Sequence, residues 1–150
     1  MPFLARWPAH ILAGAVSDET TTHTDLFATL AAVAGTEMPQ NSGEDSYNML
    51  SVLMGNTPAR PVRDFTIHHS LRGMFAIRAG EWKLIEGLGS GGFTQPASIE
   101  PDAQGPIGQL YNLHDDPSEQ VNLYLEKPDV VDRLQALLDR QRGGIESEDD

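Results

Sequence analysis

Two histidines stand side by side at His68 and His69, with Ser70 beside them and Arg72 two positions on. Around them, residues 60–83 hold Arg60, Arg63, Arg72, Arg78 and Lys83 against only Asp64 and Glu81, a net charge of +3 in a chain whose total is −12. A cationic patch on an otherwise anionic protein concentrates anionic ligands at its surface. His68, His69, Arg72 and Arg78 are therefore candidate contacts to an anion. The same residues have a plainer reading, in which one histidine of a strand packs, its neighbour is solvated, and the arginines pair with acids elsewhere. Both readings are open at this level. A Ser70–His69–Asp64 triad is not expected, because side chains along one extended stretch fan out instead of converging. Asp115–Asp116 could offer carboxylates to a hard cation, but such an ion wants about six or more oxygen ligands. With Pro117 following and no other acids patterned nearby, the pair is expected to make a turn. His23 has no partner at ligand spacing and reads as a local cap or a surface residue. No metal site is expected.

Composition narrows the classes further. The chain has no cysteine, which removes disulfides, thiolate metal sites and cysteine nucleophiles while leaving the redox compartment open. A pI of about 4.6 argues against a nucleic-acid partner, since phosphates repel such a surface. No apolar run approaches membrane-spanning length and no signal-peptide pattern follows Met1, so neither a membrane association nor an export signal is expected.

The elements that must position these groups follow from periodicity. Residues 2–7 alternate with apolar side chains on both faces, the pattern of a strand inside a sheet. Leu26, Phe27, Leu30, Val33 and Ala34 recur at helical spacing, with Gly35 as the stop. Met49, Leu50, Leu53 and Met54, ended by Gly55, predict a second short helix. From Asp64 the period changes to two, giving a hairpin through residues 75–85, and residues 110–113 add a further strand. Between them lies a long loop, residues 87–106, holding Gly87, Gly89, Gly91, Gly92 and Gly105 with Pro96, Pro101 and Pro106. Pro128 opens a last helix with Val130, Val131, Leu134, Leu137 and Leu138 on one stripe, Arg140 and Arg142 near its C-terminal dipole, and Gly143 as its end. Trp7 and Trp82 are expected as core or interface anchors and not as stacking platforms for a sugar. Residues 146–150 read as a solvated acidic tail.

Four of these stretches, in this order, resemble the C-terminal third or so of sulfatases, members of the alkaline-phosphatase-like superfamily. They are residues 1–8 (MPFLARWP), 21–35 (TTHTDLFATLAAVAG), 75–85 (FAIRAGEWKLI) and 110–123 (LYNLHDDPSEQVNL). The last is the most specific and resembles the family pattern LYDL..DP.E..NL. The resemblance implies an α/β fold: residues 1–60 as the end of the catalytic α/β core, one strand plus helices; 61–143 as a small antiparallel sheet packed by a C-terminal helix; and 144–150 as the acidic tail.

It also implies what is missing. The complete family enzyme uses calcium and a formylglycine made from the first residue of a C/S-x-P-x-R pentad. Asn56-Thr57-Pro58-Ala59-Arg60 has that proline and arginine, but an amide cannot yield the aldehyde. Cleaving a sulfate ester needs an activated nucleophile and stabilisation of developing charge. No catalytic residue and no cofactor is therefore expected in this chain, which should be inactive alone. Without neighbouring strands, Phe3, Leu4 and Trp7 forgo burial worth roughly 1.5–3 kcal/mol each. The expected partner is the missing N-terminal catalytic region or a second copy, the alternative being a disordered N-terminal segment. The resemblance further implies a sulfated small molecule or glycan as ligand, contacted by His68, His69, Arg72, Arg78 and the 87–96 loop, and a periplasmic or secreted location for full-length relatives. The competing expectation is a non-catalytic binding or assembly module for anionic ligands.

Overall fold

The computed structural model describes residues 3–146, with side chains described through Gly143. The acidic tail expected at residues 146–150 lies almost wholly outside them. Two compact units divide the chain, residues 1–64 and 65–150.

In the first unit, helix α1 spans Asp25–Ala34 and α2 spans Leu50–Leu53. Gly35 ends α1 as its sequence predicts: at φ 65° it turns the backbone left-handed, and the Gly35 and Thr36 N–H groups bond back to the carbonyls of Ala32 and Ala31. Which face is buried differs from expectation. Asp25, Ala28 and Thr29 are the buried residues of α1, while Leu26, Phe27, Leu30 and Val33 are exposed. The unit is organised by polar groups instead. The Asp25 carboxylate accepts N–H bonds from Thr22 at 2.8 Å and Tyr47 at 3.0 Å, and pairs with Arg63 at 2.9 Å. Thr29 donates to the Asp25 carbonyl and accepts from the Met49 N–H, drawing α2 against α1. Ser46 in turn accepts from the Ala28 N–H and donates to the Thr24 carbonyl.

Of the strand expected over residues 2–7, the described residues 3–7 are irregular instead: Phe3 and Leu4 are exposed, and the chain turns at Pro8, where Trp7 stacks on His10 at 4.0 Å. A strand is held by its ladder, and among the described residues this unit has no other strand to pair with. The α/β class itself stands, on the grounds of the structural relationships given below.

The second unit is a four-stranded antiparallel meander: β1 Thr66–His69, β2 Phe75–Ala79, β3 Trp82–Ile85 and β4 Gln109–Asn112, in that order across the sheet. Helix α3, Pro128–Glu146, covers one face. Ile67, Ile77, Leu84 and Leu110 are register partners in one row, and Val131, Leu134 and Leu138 of α3 close over them. Trp82 packs beside this cluster, the anchor role expected of it. Gly143 does not end the helix, which runs through it to Glu146. A glycine inside a helix costs only about 1 kcal/mol relative to alanine, and Arg142 secures this stretch by pairing through both terminal nitrogens with Glu86 while its guanidinium lies 4.4 Å over the Phe75 ring. Arg142 thus serves a specific partner and not the helix dipole.

Two predictions follow from these cores. Leu134→Ala removes a fully buried side chain at the centre of the α3–sheet contact and is expected to lower unfolding free energy by about 2–5 kcal/mol in urea titrations; a change under about 1 kcal/mol would show that the helix does not seat there. For Asp25, burial raises the carboxyl pKa, but the Thr22 and Tyr47 N–H groups and the Arg63 guanidinium outweigh it and hold the value below 3.8. A depressed folded pKa contributes stability above the unfolded value, lost as pH falls through the folded one. Asp25→Ala is accordingly expected to destabilise near neutral pH and to flatten the loss of stability below about pH 4. An acid limb of unchanged steepness in the variant would refute the assignment.

Candidate functional site

Strand alternation settles where the candidate anion contacts stand. Since Ile67, Ile77, Leu84 and Leu110 face α3, their neighbours in sequence face the other way. Thr66, Arg78, Lys83 and Tyr111 are register partners forming one row on that opposite face; His68, Ala76, Ile85 and Gln109 form the next. His68 and Arg78 therefore share a face, with Lys83 between the strands carrying Arg78 and Tyr111. Lys83 Nζ donates to Glu119 Oε1 at 2.6 Å, so its charge is compensated at short range. Arg78 donates from Nε to the Gly80 carbonyl. Partial burial holds the His68 pKa below its ordinary value, the Lys83 charge adding to this, Glu119 opposing it and His69 contributing in the same downward sense. Burial likewise raises the Tyr111 phenol, reinforced by the Glu119 and Asp116 carboxylates; its hydroxyl donates to Gln109 Oε1 at 2.8 Å.

The other two candidates are elsewhere. His69 sits on the α3 face, where its ring lies 5.9 Å from Phe75 and its Nδ1 is 2.8 Å from the Ser70 carbonyl oxygen. Both histidines keep part of their surface exposed to solvent. Arg72 occupies the turn between β1 and β2, its N–H bonded to the Gly91 carbonyl at 3.2 Å. The four residues thus do not converge on one point. Ser70 is no nucleophile of a triad: its Oγ accepts the Met74 N–H at 3.1 Å and the Arg72 N–H at 3.3 Å.

Sequence reasoning passed over the residues that hold the 87–106 loop. Gln109 donates from Nε2 to the carbonyls of Gly87 and Gly89 at 2.9 and 3.1 Å, and the Ser90 and Gly91 N–H groups bond to the Pro96 and Ala97 carbonyls. Gly91 is buried with φ 63°, and a Cβ there would stand 2.5 Å from Ser70 Oγ. The glycine richness of the loop was the one visible signal; its partners across the fold carried none.

The 110–123 stretch proves structural. Asn112 Oδ1 accepts from the His114 and Asp115 N–H groups, and Asp116 Oδ2 from those of Gln120 and Val121, the turn expected of the Asp pair. Asn122 accepts from the N–H groups of Leu110 and Tyr124 and donates to the Gly108 carbonyl, continuing the sheet edge with a side chain. The Asp116 carboxylate is thereby committed to backbone donors. Among the described residues no group of three or more His, Asp or Glu is placed to hold a metal ion, and Asn56 follows α2 in irregular structure, its N–H bonded to the Ser51 carbonyl. These residues do not fit the calcium and formylglycine that the resemblance attaches to the complete enzyme.

Known proteins bear on this geometry. Residues 1–143 match the family described as N-sulphoglucosamine sulphohydrolase, C-terminal. The chain is 31% identical over 144 residues to an N-acetylgalactosamine-6-O-sulfatase of Bacteroides thetaiotaomicron, covering 93% of this chain and 26% of that protein. It is 35% identical over 134 residues to human arylsulfatase A, covering 81% and 25%. A structure solved in complex with its substrate, D-glucosamine-2-N,6-O-disulfate, superposes with a TM-score of 0.67 over 96% of this chain and 28% of that one, at 23% identity, which shows a shared fold. The chain spans about a quarter of the length of the curated relatives it matches.

The electrostatic link between β1 and β3 is directly testable. Lys83→Gln removes a cation that depresses the His68 pKa and leaves Glu119, which raises it. NMR titration of the His68 ring should report a higher pKa in the variant, and an unchanged or lower value would show that Lys83 does not act on that imidazole.

Proposed function

Because this chain belongs to the sulfatase family, matched along its C-terminal domain, we propose that it is the C-terminal part of a sulfuric ester hydrolase, stabilising the catalytic core and shaping access of a sulfated substrate while supplying neither nucleophile nor metal site. The observation that carries this reading is the match of residues 1–143 to a C-terminal sulfatase domain that is only about a quarter of its relatives. The exposed Leu26, Phe27, Leu30 and Val33 of α1 support it: an amphipathic helix whose apolar stripe is uncovered in its own unit is suited to pack on more protein. We assign that partner as the N-terminal catalytic region, with a second copy of this chain as the other candidate.

The substrate side of this reading rests on charge. Arg78 on one sheet face and Arg72 on the β1–β2 turn offer cationic contacts to a sulfate ester, His68 adds a hydrogen-bonding imidazole on the face of Arg78, and His69 belongs with them only as a residue of the opposite face. Arginine suits this task because its planar fork matches the oxygens of an oxyanion. Related proteins named as acting on N-acetylgalactosamine-6-sulfate or bound to a disulfated glucosamine point to a sulfated sugar as the class of ligand. No helix among the described residues is long and apolar enough to cross a membrane, and we place the full-length protein in the periplasm or outside the cell by likeness to its family.

Purified 150-residue chain, given a chromogenic aryl sulfate and calcium, should release no sulfate above the buffer rate; turnover that persists through successive purification steps would end the claim of inactivity. The coding sequence preceding Met1 should carry a C/S-x-P-x-R pentad and acidic metal ligands. Stop codons in every upstream frame would instead favour a free-standing module that binds anionic ligands.

A further inference from the structure

The sulfated-sugar reading leaves unexplained one exposed aromatic residue held on a rigid support. Phe93 is 90% exposed at the tip of the 87–99 loop, and Leu71, on the β1–β2 turn beside Arg72, is 71% exposed. The loop folds back on itself through Ser90 N–H to the Pro96 carbonyl at 3.0 Å, Gly91 N–H to the Ala97 carbonyl at 2.8 Å and Ile99 N–H to the Leu88 carbonyl at 3.1 Å, while Ser90 Oγ donates to the Thr94 carbonyl. Gln109 holds its base. Its inner side is locked to the β1–β2 turn, where the Arg72 N–H bonds the Gly91 carbonyl and Gly91, lacking a side chain, leaves room for that of Ser70. Phe93 is thus two residues from a backbone contact with Arg72.

We propose that the 87–99 loop and the β1–β2 turn, latched together at Ser70 and Gly91, form one preorganised rim on which Phe93 stacks against the ring of a sulfated saccharide while Arg72 binds one of its sulfates. This rests on the function proposed above and adds to it a stacking residue and a positioning residue, Ser70. The chemistry of the two side chains fits one ligand class. A phenyl ring gains by covering the C–H face of a sugar, and the guanidinium forms charge-assisted bonds to a sulfate on the same residue. A loop already fixed by its own backbone bonds loses little conformational freedom when a ligand stacks on its tip. Charge complementarity selects the occupant: Arg72 places a cation on the turn bonded to the loop that carries Phe93, whereas Arg78 and Lys83 stand toward the opposite end of the strands and Lys83 is met by Glu119, so the ligand suited to this rim carries an anionic group beside an apolar face.

The test is an NMR titration of the full 150-residue chain with glucosamine 2-N,6-O-disulfate and, separately, unsulfated N-acetylglucosamine, in wild type, Phe93→Ala, Arg72→Ala and Ser70→Ala. Binding of the disulfated sugar is expected to weaken about three- to tenfold in Phe93→Ala and about tenfold or more in Arg72→Ala, with thermal midpoints unchanged because both side chains are exposed. Ser70→Ala should speed amide exchange at Arg72 and Gly91 and weaken binding in parallel. If the wild-type chain binds the disulfated sugar and neither Phe93→Ala nor Arg72→Ala alters its affinity, the rim assignment is wrong and the broader function survives. If the wild-type chain distinguishes neither sugar from buffer, the sulfated-sugar reading fails and the rim falls with it.

Discussion

The second unit depends on the closure of α3 over a single row of apolar residues. Leu134 and Leu138 are fully buried against Ile77, Leu84 and Leu110, and burying each of these side chains is worth roughly 1.5–3 kcal/mol. Because side chains alternate along a strand, that closure also fixes the opposite face: Thr66, His68, Arg78, Lys83 and Tyr111 are turned away from the helix by the same register that turns the leucines toward it. A slip of one residue would exchange the two faces. The hydrophobic core and the cationic strip are one constraint seen from two sides.

The segment most diagnostic of the family works as a staple for this arrangement. Leu110 and Tyr111 belong to β4, Asn112 and Asp116 satisfy the N–H groups of the turn that follows, and Asn122 supplies side-chain bonds where a fifth strand would have supplied backbone ones. Glu119, carried by the same turn with φ 55°, reaches Lys83 on the cationic face. A buried backbone donor left unpaired costs about 1–3 kcal/mol, so a run of Asn and Asp at these positions is explained by backbone bookkeeping. The Asp116 carboxylate, bonded to two backbone amides, is thereby a poor metal ligand.

The first unit is built on different physics. Its interior centres on the side chains of Asp25, Arg63, Thr29 and Ser46, hydrogen-bonded to each other or to the backbone around them, while the leucines and phenylalanine of α1 face outward. Charged groups are tolerated in an interior only when paired and fully bonded, and Asp25 meets that condition with two backbone donors and a guanidinium. Such a core specifies how α1 and α2 meet without consuming the apolar stripe. Packing on the proposed catalytic region is the role that our functional reading gives this stripe.

The amino-acid order alone determined the elements whose signals are local: α1 and its Gly35 stop, the β2–β3 hairpin, the 110–113 strand, the Pro128 start of α3 and the Asp116 turn, each written in periodicity or in a side chain that bonds its own neighbours. It also determined the family, through segments read in order. What it could not decide depends on contacts between residues far apart in the chain. Nothing in the periodicity of α1 said that Asp25 and Thr29 would be buried in place of Leu26 and Leu30, because that outcome requires Tyr47, Met49 and Arg63 to arrive from elsewhere. The stop expected at Gly143 was overridden by Glu86, more than fifty positions away, which holds Arg142. Residues 2–7 have a strand's alternation but find no ladder among the described residues of their unit, since pairing is a property of two strands and the sequence of one cannot supply it. The pairing of Gly91 with Ser70, which joins a glycine-rich loop to a turn, likewise became visible only once the sheet had brought the ends of β1 and β4 to their places.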